Sequence, residues 1–233
     1  MRAQELRSVL TVAIDGPAGA GKSSVARRVA DTFGYTYIDT GAMYRAIAWK
    51  GTQLGLAPED AEALSRVAAA TQIAFRRAAD GTQRVYADGA DVTEAIRTPE
   101  ITRLSSPVSA VPGVRSALVR AQQAMGHGGG VVMEGRDIGT VVFPRADVKV
   151  YLDASEEERA RRRWGEMQAK GMATDMAELL ARQRERDRRD STRADSPLRA
   201  APDAVRIDTN DMSMEEVVEA VVGICRARLG GTR

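Results

Sequence analysis

Near the start of the chain, the apolar positions change from a continuous run to a regular spacing. The run Val9–Asp15 is short and almost wholly apolar, and a glycine-rich stretch follows it. In the next segment the apolar side chains recur every four residues, at Val25, Val29 and Phe33. The first pattern predicts a β-strand, and the second predicts an amphipathic helix over Lys22–Phe33 that Gly34 is suited to end.

The same alternation continues towards the other end of the chain. Four further apolar segments predict strands, at Tyr35–Asp39, Val131–Gly135, Val148–Leu152 and Ala204–Asp208. Helices are predicted between them, over Ala42–Leu54, from Thr98, over Pro112–Met125, from Ser155, over Asp175–Arg189 and from Ser213. Strands that alternate with helices favour the α/β class, with a mostly parallel sheet covered on both faces in three layers.

One stretch, between about residues 70 and 100, breaks this order. Thr71–Arg77 and Arg84–Ala87 have the composition of short strands, and the turn dipeptides Asp80-Gly81 and Asp88-Gly89 each follow one of them. These signals predict a small antiparallel insert.

Composition and charge narrow the classes of function. A chain of 233 residues that is 43% hydrophobic and 28% charged suits one large domain. The single cysteine, Cys225, and the single histidine, His127, exclude a disulfide scaffold and a His/Cys metal cluster. A net charge of +2 gives no strong field for nucleic acid, and no apolar run approaches the ~18 residues of a membrane helix. We therefore expect a cytoplasmic protein with neither nucleic acid nor membrane as partner, with Cys225 in the core and His127 in a solvent loop.

The glycine-rich stretch fits the phosphate-loop pattern G-x-x-x-x-G-K-[ST]. The residues predicted to contact ATP are Gly16, Pro17, Ala18, Gly19, Ala20, Gly21, Lys22, Ser23 and Ser24. Glycines let backbone N–H groups surround a phosphate chain, Lys22 supplies charge to the β- and γ-phosphates, and the Ser23 hydroxyl can coordinate Mg²⁺. A plain glycine-rich turn is the alternative. The motif alone predicts a nucleoside triphosphate site, which GTPases, motor ATPases and small-molecule kinases share.

Arginines stand where a second anionic ligand would need them. Arg45 follows the second predicted strand, and Arg136 ends the third. Because the carboxyl ends of parallel strands meet at one edge of a sheet, Arg45, Arg136 and Lys22 are predicted to converge. A later run, Arg159 and Arg161–Arg163, could form a lid over the transferring phosphate, with Arg162 and Arg163 the favoured contacts, or simply a solvated helix face.

Four segments together resemble the bacterial cytidylate kinases, in a likeness that covers residues from about 9 to 229. They are Asp39–Arg45, Glu134–Pro144, Arg186–Arg193 and Ile207–Asn210. The resemblance implies a monomeric P-loop kinase that transfers the γ-phosphoryl of ATP, with Mg²⁺, to CMP or dCMP in direct in-line transfer. The loop ends Lys22-Ser23-Ser24, where many relatives carry Gly-Thr or Ser-Thr after the lysine, but Ser23 keeps the hydroxyl.

The resemblance also implies roles for single residues. It implies a clamp on the CMP phosphate by Arg45, Arg136 and Arg193, cytosine contacts by Ser106, Arg115 and Asp137, and a pentose contact by Asp190 supported by Arg186. Thr40 and Tyr44 would line the acceptor pocket, although Tyr44 could be mere packing. The predicted catalytic set is Lys22, Arg45, Arg136, Arg162, Arg163 and Arg193. A carboxylate such as Asp137 can accept from the cytosine amino group, so the pocket should reject UMP.

The implied organisation is one kinase unit over residues 1–233. Its core covers about 8–65, 105–155 and 195–233, a monophosphate-binding insert covers about 66–104, and a helical lid covers about 156–194. Three alternatives stay open: a kinase for another acceptor such as UMP or AMP, a P-loop regulatory switch, and a nucleic-acid-binding protein. For Asp39, organising Mg²⁺ waters and capping the following helix are equally open.

Overall fold

The computed structural model describes residues 9–169, 171–172 and 174–230. The segment Met1–Arg7, to which the sequence assigns no role, lies outside the described residues. The chain divides into two compact units. The first unit contains residues 9–37, 126–192 and 196–230, and the second contains 38–125 and 193–195.

A five-stranded sheet forms the centre of the first unit, apart from the last two residues of one edge strand, which belong to the second unit. Its strands are β1 (Thr11–Asp15), β2 (Thr36–Asp39), β6 (Val131–Gly135), β7 (Val148–Asp153) and β8 (Val205–Asp208), in the order β2-β6-β1-β7-β8. The central strand β1 runs parallel to both β6 and β7, and β7 runs parallel to β8. Parallel pairing places the carboxyl ends of these strands at one edge, and the phosphate loop begins there at the end of β1.

Two helices of the first unit pack on this sheet through apolar stripes. They are α1 (Lys22–Phe33) and α8 (Met214–Gly230), whose buried side chains share one core cluster with β1, β7 and β8. Gly34 ends α1 in the left-handed conformation, and Ser213 and Glu216 exchange hydrogen bonds as a capping box before α8. Cys225 is buried in this core, as predicted. A helical hairpin, α6 (Glu156–Ala169) and α7 (Met176–Thr192), completes the unit.

The second unit is mainly helical and carries a small sheet. Its helices are α2 (Thr40–Gln53), α3 (Ala61–Ala70), α4 (Pro99–Ala110) and α5 (Pro112–Met125). The strands β3 (Ile73–Arg77), β4 (Gln83–Ala87) and β5 (Ala90–Asp91) pair antiparallel in the order β3-β4-β5. Side-chain oxygens of Asp39, Asp60 and Thr98 cap the first three of these helices.

The predicted α/β fold, with a mostly parallel sheet and a small antiparallel sheet, is confirmed. The helices predicted from Ser155 and over Asp175–Arg189 are present as α6 and α7, and their role as a lid stays a prediction. The helix α3 was not predicted, and Ile138–Val142 forms a wide π-helical turn where no element was expected. His127 is exposed, as predicted. Among the described helices, none is both long and apolar enough to span a membrane.

Candidate functional site

The phosphate loop wraps tightly between β1 and α1. Gly16, Gly19 and Gly21 all have positive φ, at 149°, 81° and 84°. A Cβ atom on Gly16 would lie 2.1 Å from the carbonyl oxygen of Leu152, so only glycine fits at the start of the loop. The resulting loop leads directly into the N-terminus of α1, whose free N–H groups favour an anion.

Lys22 is buried at the first turn of α1, with 5% of the residue exposed. Its Nζ donates to the carbonyl oxygen of Pro17 at 2.6 Å, across the loop. Burial lowers the pKa of Lys22 to about 7, and the charge of Arg136 acts in the same direction, against Glu134. The site therefore disfavours the charged form of Lys22, and a bound phosphate anion would stabilise that form.

Ser23 makes a contact that the sequence did not predict. Its Oγ donates to Glu134 Oε1 at 2.5 Å, and Tyr37 Oη donates to the same oxygen at 3.0 Å. Glu134 is buried at the carboxyl end of β6. A buried carboxylate next to the loop serine orients the hydroxyl that the sequence assigned to Mg²⁺.

Asp15 ties the start of the loop to the turn after β6. Its two carboxylate oxygens accept from the backbone N–H groups of Ile138 and Gly139, at 2.8 and 2.7 Å. Burial raises the pKa of Asp15 from 3.8 to about 6, although these two hydrogen bonds oppose the change. The same turn carries the buried Asp137, so Asp15 fixes the backbone next to the predicted cytosine contact.

Arg136 follows β6 and is held by α7. Its Nε donates to Asp190 Oδ2 at 3.0 Å, and Arg186 lies 3.8 Å from the same oxygen. The side chain of Asp190 is only 8% exposed. Three of the predicted acceptor residues therefore form one cluster in the first unit, with two partly buried arginines around a buried carboxylate.

The arginines of α6 divide into different environments. Arg162 donates to Glu158 at 2.7 Å and to the hydroxyl and carbonyl oxygens of Thr209. Arg163 is 45% exposed and pairs with Glu166 at 2.9 Å. Arg159 is 4% exposed and donates to the carbonyl oxygen of Ala18 in the phosphate loop, at 2.9 Å. Arg159 therefore touches the loop directly, whereas Arg162 and Arg163, the residues favoured from sequence, bind other protein groups.

In the second unit, Asp39 and Arg45 form a half-buried pair. Asp39 Oδ1 accepts from the backbone N–H of Ala42 at 2.8 Å, which caps α2, and Oδ2 pairs with Arg45 at 2.9 Å. A Cβ on Gly41 would lie 3.1 Å from both partners. The cap role of Asp39, one of two that the sequence left open, is present, and the carboxylate also orients Arg45.

A second cluster in this unit surrounds Arg115. The guanidinium carbon of Arg115 lies 5.8 Å from the ring centre of Tyr44, and Arg115 Nη1 donates to the carbonyl oxygen of Ser109 at 3.3 Å. Both Arg115 and Thr40 are buried. The hydroxyl of Ser106 is buried and has no hydrogen-bond partner among the residues that the structure describes. A ligand with polar edges would satisfy that hydroxyl.

Comparison with known proteins decides the family. The model of the cytidylate kinase family matches residues 12–227. The chain belongs to the cytidylate kinase family. It is 52% identical over 217 residues to a cytidylate kinase of Pelotomaculum thermopropionicum, with 93% of this chain and 96% of that protein covered.

Two further similar proteins differ from this chain in length or share only its fold. A bifunctional pantoate ligase/cytidylate kinase of Synechococcus sp. strain JA-3-3Ab is 54% identical over 220 residues, which cover 94% of this chain. The chain spans 41% of the length of that protein. An uncharacterized protein from Eubacterium ventriosum has a solved structure with a TM-score of 0.51 at 10% identity, over 94% of this chain and 99% of that one. That likeness concerns the fold alone.

The cytidylate kinase motifs are divided between the two units. The first unit holds the whole phosphate loop with Arg136, Asp137, Arg162, Arg163, Arg186 and Asp190, and the second holds Thr40, Tyr44, Arg45, Ser106, Arg115 and Arg193. In the first unit, Lys22 and Arg136 lie close enough for their charges to interact. The convergence of both with Arg45 stays a prediction. Sequence reasoning missed Asp15 and Glu134, whose only signal was an acidic residue at the end of a strand.

We expect the steric fit of Gly16 to control stability in this cytidylate kinase family member. Gly16→Ala should lower the free energy of unfolding by about 3 kcal/mol, because the new Cβ overlaps the backbone of β7. Gly34→Ala is the matched control, since Gly34 also has positive φ but its Cβ would have nothing within 4 Å. It should cost about 1 kcal/mol. Denaturant unfolding measures both, and equal losses would contradict the steric argument.

The raised pKa of Asp15 is expected to make the protein less stable as the pH rises. Its folded pKa of about 6 lies above its ordinary 3.8, so the folded protein binds the proton more tightly than the unfolded chain. Ionisation of Asp15 therefore costs folding free energy, and this cost is absent below about pH 4 and complete above about pH 6. As the pH rises from 4 to 7, the free energy of unfolding of Asp15→Asn should therefore increase by about 3 kcal/mol relative to that of the wild type.

The matched control for this pH effect is Asp203→Asn. Asp203 is exposed and pairs with Lys149, and that hydrogen bond lowers its pKa. The pair therefore stabilises the wild type more as the pH rises. Relative to the wild type, the free energy of unfolding of Asp203→Asn should fall slightly over the same pH range. Urea unfolding of the three proteins at each pH provides the comparison, and parallel curves for Asp15→Asn and the wild type would refute the raised pKa.

Proposed function

We propose that this protein transfers the γ-phosphoryl group of ATP to CMP or dCMP, giving ADP and CDP or dCDP. The observation that carries the proposal is the ion pair between the partly buried Arg136 and the buried Asp190, which lies in the same unit as the phosphate loop and Lys22. A binding module for ATP alone needs no such second cluster of arginines. Family membership supports the same reaction. The proposal extends to a monomer acting in the cytoplasm.

The residues supply positioning and charge rather than proton transfer. The acceptor is a phosphate oxygen that is already ionised at neutral pH, so the transfer needs no general base. Lys22 would bind the β- and γ-phosphates of ATP, and Arg45, Arg136 and Arg193 would bind the CMP phosphate. Arg162 and Arg163 are proposed to neutralise charge on the transferring group, which requires them to exchange their present partners Glu158 and Glu166 for phosphate.

A magnesium ion fits the residues around Ser23. The Ser23 hydroxyl and the carboxylate of Glu134 are oxygen groups of the kind that Mg²⁺ prefers, and the triphosphate supplies further oxygens. Among the described residues, no group of three or more His, Cys, Asp or Glu could hold a metal ion by itself. We therefore propose that Ser23 holds Mg²⁺ together with ATP, with Glu134 orienting the hydroxyl. The bound ion would neutralise charge on the phosphates.

Base selectivity is proposed to rest on hydrogen bonds that only cytosine completes. Asp137 would accept from the cytosine amino group, and Arg115 and Ser106 would donate to the ring nitrogen and carbonyl. Asp190, supported by Arg186, would accept from the pentose. The buried hydroxyl of Ser106 supports this assignment, since it has no other partner among the described residues. The division into core, insert and lid stays a proposal alongside it.

A substrate panel tests the proposed function. ADP release is measured with ATP and Mg²⁺ against CMP, dCMP, UMP and AMP at equal concentrations. We expect rapid turnover with CMP and dCMP and a loss of at least a hundredfold in kcat/KM with UMP, because the carboxylate of Asp137 would face a carbonyl. Turnover of UMP or AMP ahead of CMP would overturn the acceptor assignment.

A further inference from the structure

Arg159 joins three separate parts of the first unit through one guanidinium. Its Nε donates to the carbonyl oxygen of Ala154 at 3.0 Å. Its Nη1 donates to the carbonyl oxygen of Ala18 at 2.9 Å and to Asp187 Oδ2 at 2.6 Å. The phosphate loop, the start of α6 and the middle of α7 are therefore held by the same buried side chain.

The loop also packs directly on the helix that carries Arg159. A Cβ atom on Gly19 would lie 3.0 Å from the Cβ of Arg159 and 3.1 Å from its carbonyl oxygen. The backbone of the loop is thus in contact with the first turn of α6. Because this interface has no spare space, a displacement of Arg159 moves the loop.

The helix α7 carries both Asp187 and Asp190, three residues apart and therefore on one face. Asp187 pairs with Arg159, on the side of the phosphate loop, whereas Asp190 pairs with Arg136, the proposed ligand of the CMP phosphate. One helix face therefore contacts the groups proposed for both nucleotides.

Both carboxylates have capacity to change partners. The Oδ1 atom of Asp187 is buried and has no hydrogen-bond partner among the described residues. A phosphate on Arg136 would weaken the pair with Asp190, because two anions would then share the single positive charge of the guanidinium. Asp190 can then accept from the pentose, and α7 is free to shift with Asp187 still paired.

We propose that Asp187 and Arg159 are positioning residues that couple the two nucleotide sites. Binding of CMP at Arg136 releases Asp190, α7 moves, and the Asp187–Arg159 pair carries this movement to Ala18 in the phosphate loop. The inference rests on the proposed function. Its consequence is that CMP and ATP each raise the affinity of the other, by the same factor in both directions.

Calorimetric titration tests this coupling. The dissociation constant of a non-hydrolysable ATP analogue is measured with and without saturating CMP, and that of CMP with and without the analogue. The wild type should show coupling of about tenfold. In Asp187→Asn the coupling should fall below about threefold, while the affinity for each nucleotide alone changes by less than that amount. Arg159→Lys should behave in the same way, because the single nitrogen of lysine cannot take the positions of both Nε and Nη1.

The control variant is Glu185→Gln, on the same helix. Glu185 is exposed, and the described residues with which it pairs are two arginines of its own helix, Arg188 and Arg189. It should keep the full coupling, and thermal melting of every variant verifies that it is folded. Equal coupling in Asp187→Asn and the wild type, or no coupling in the wild type, would overturn the inference. Failure of the proposed function looks different: CMP neither binds nor reacts, and the monophosphate accepted in the substrate panel then takes its place in the titration.

Discussion

Replacement of Lys22 by methionine is expected to lower kcat by about a thousandfold. The ammonium is the one side-chain cation of the phosphate loop, and loss of a single preorganised donor to a developing charge costs two to three orders of magnitude in rate. Methionine keeps the length and the apolar part of the side chain, so the loss isolates the charge. The measurement is steady-state turnover of CMP at saturating ATP.

The thermal stability of Lys22→Met, unlike its kcat, should not fall. Burial lowers the pKa of Lys22 to about 7, which means that the folded protein holds its ammonium at a cost. Lys22→Met should therefore unfold at the same or a higher temperature than the wild type.

Lys149 offers a matched control for Lys22. It is also buried and also donates to a proline carbonyl, that of Pro144, at 2.6 Å, but it forms an ion pair with Asp203. Lys149→Met should lower the melting temperature and change kcat by only a few fold. A similar fall in kcat for both variants would assign the effect to packing and would contradict a catalytic role for the charge of Lys22.

The elements that could be predicted from sequence have their signals within one or two turns of the chain. Helix α1 has the predicted bounds, because its apolar spacing and Gly34 are local. The same holds for α5 and for the capping box of α8. Helix α3 was missed because its sequence, AEALSRVAAA, contains few large apolar residues to mark a face. Its buried positions are alanines and one leucine, which a helix uses for close packing but which a periodicity search does not register.

In the candidate site, most of the contacts that orient the functional residues join positions that are distant in the sequence. The phosphate loop was predictable, since its eight residues are consecutive. The partners that orient it were not, because Ser23 and Glu134 lie 111 positions apart, and Asp15 and Gly139 lie 124 apart. Arg159 was considered only as part of a basic run, and the contact with Ala18 that distinguishes it spans 141 positions. Sequence patterns record residue types, whereas the pairing of buried charges is decided by the fold that brings them together.

Arg136→Met is expected to lower kcat/KM for CMP by about a thousandfold, with the affinity for ATP changed by no more than a few fold. Removal of one partner from a buried ion pair costs about 2–5 kcal/mol. Here it removes the proposed phosphate ligand and also takes from the buried carboxylate of Asp190 its 3.0 Å hydrogen bond, while Arg186 lies farther away at 3.8 Å. Arg136→Lys should recover part of the activity, because lysine restores the charge but not the planar pair of donors.

The control for Arg136 lies on α7. Arg182 is 70% exposed and pairs with Glu178 of the same helix, so Arg182→Met should leave both constants unchanged. Initial rates at varied CMP, together with calorimetric binding of an ATP analogue, separate the two substrates. A regulatory switch that binds ATP alone would lose nothing measurable with Arg136. If Arg136→Met keeps kcat/KM for CMP within threefold of the wild type, Arg136 does not bind the acceptor phosphate, and the cluster with Asp190 serves the fold of the first unit instead.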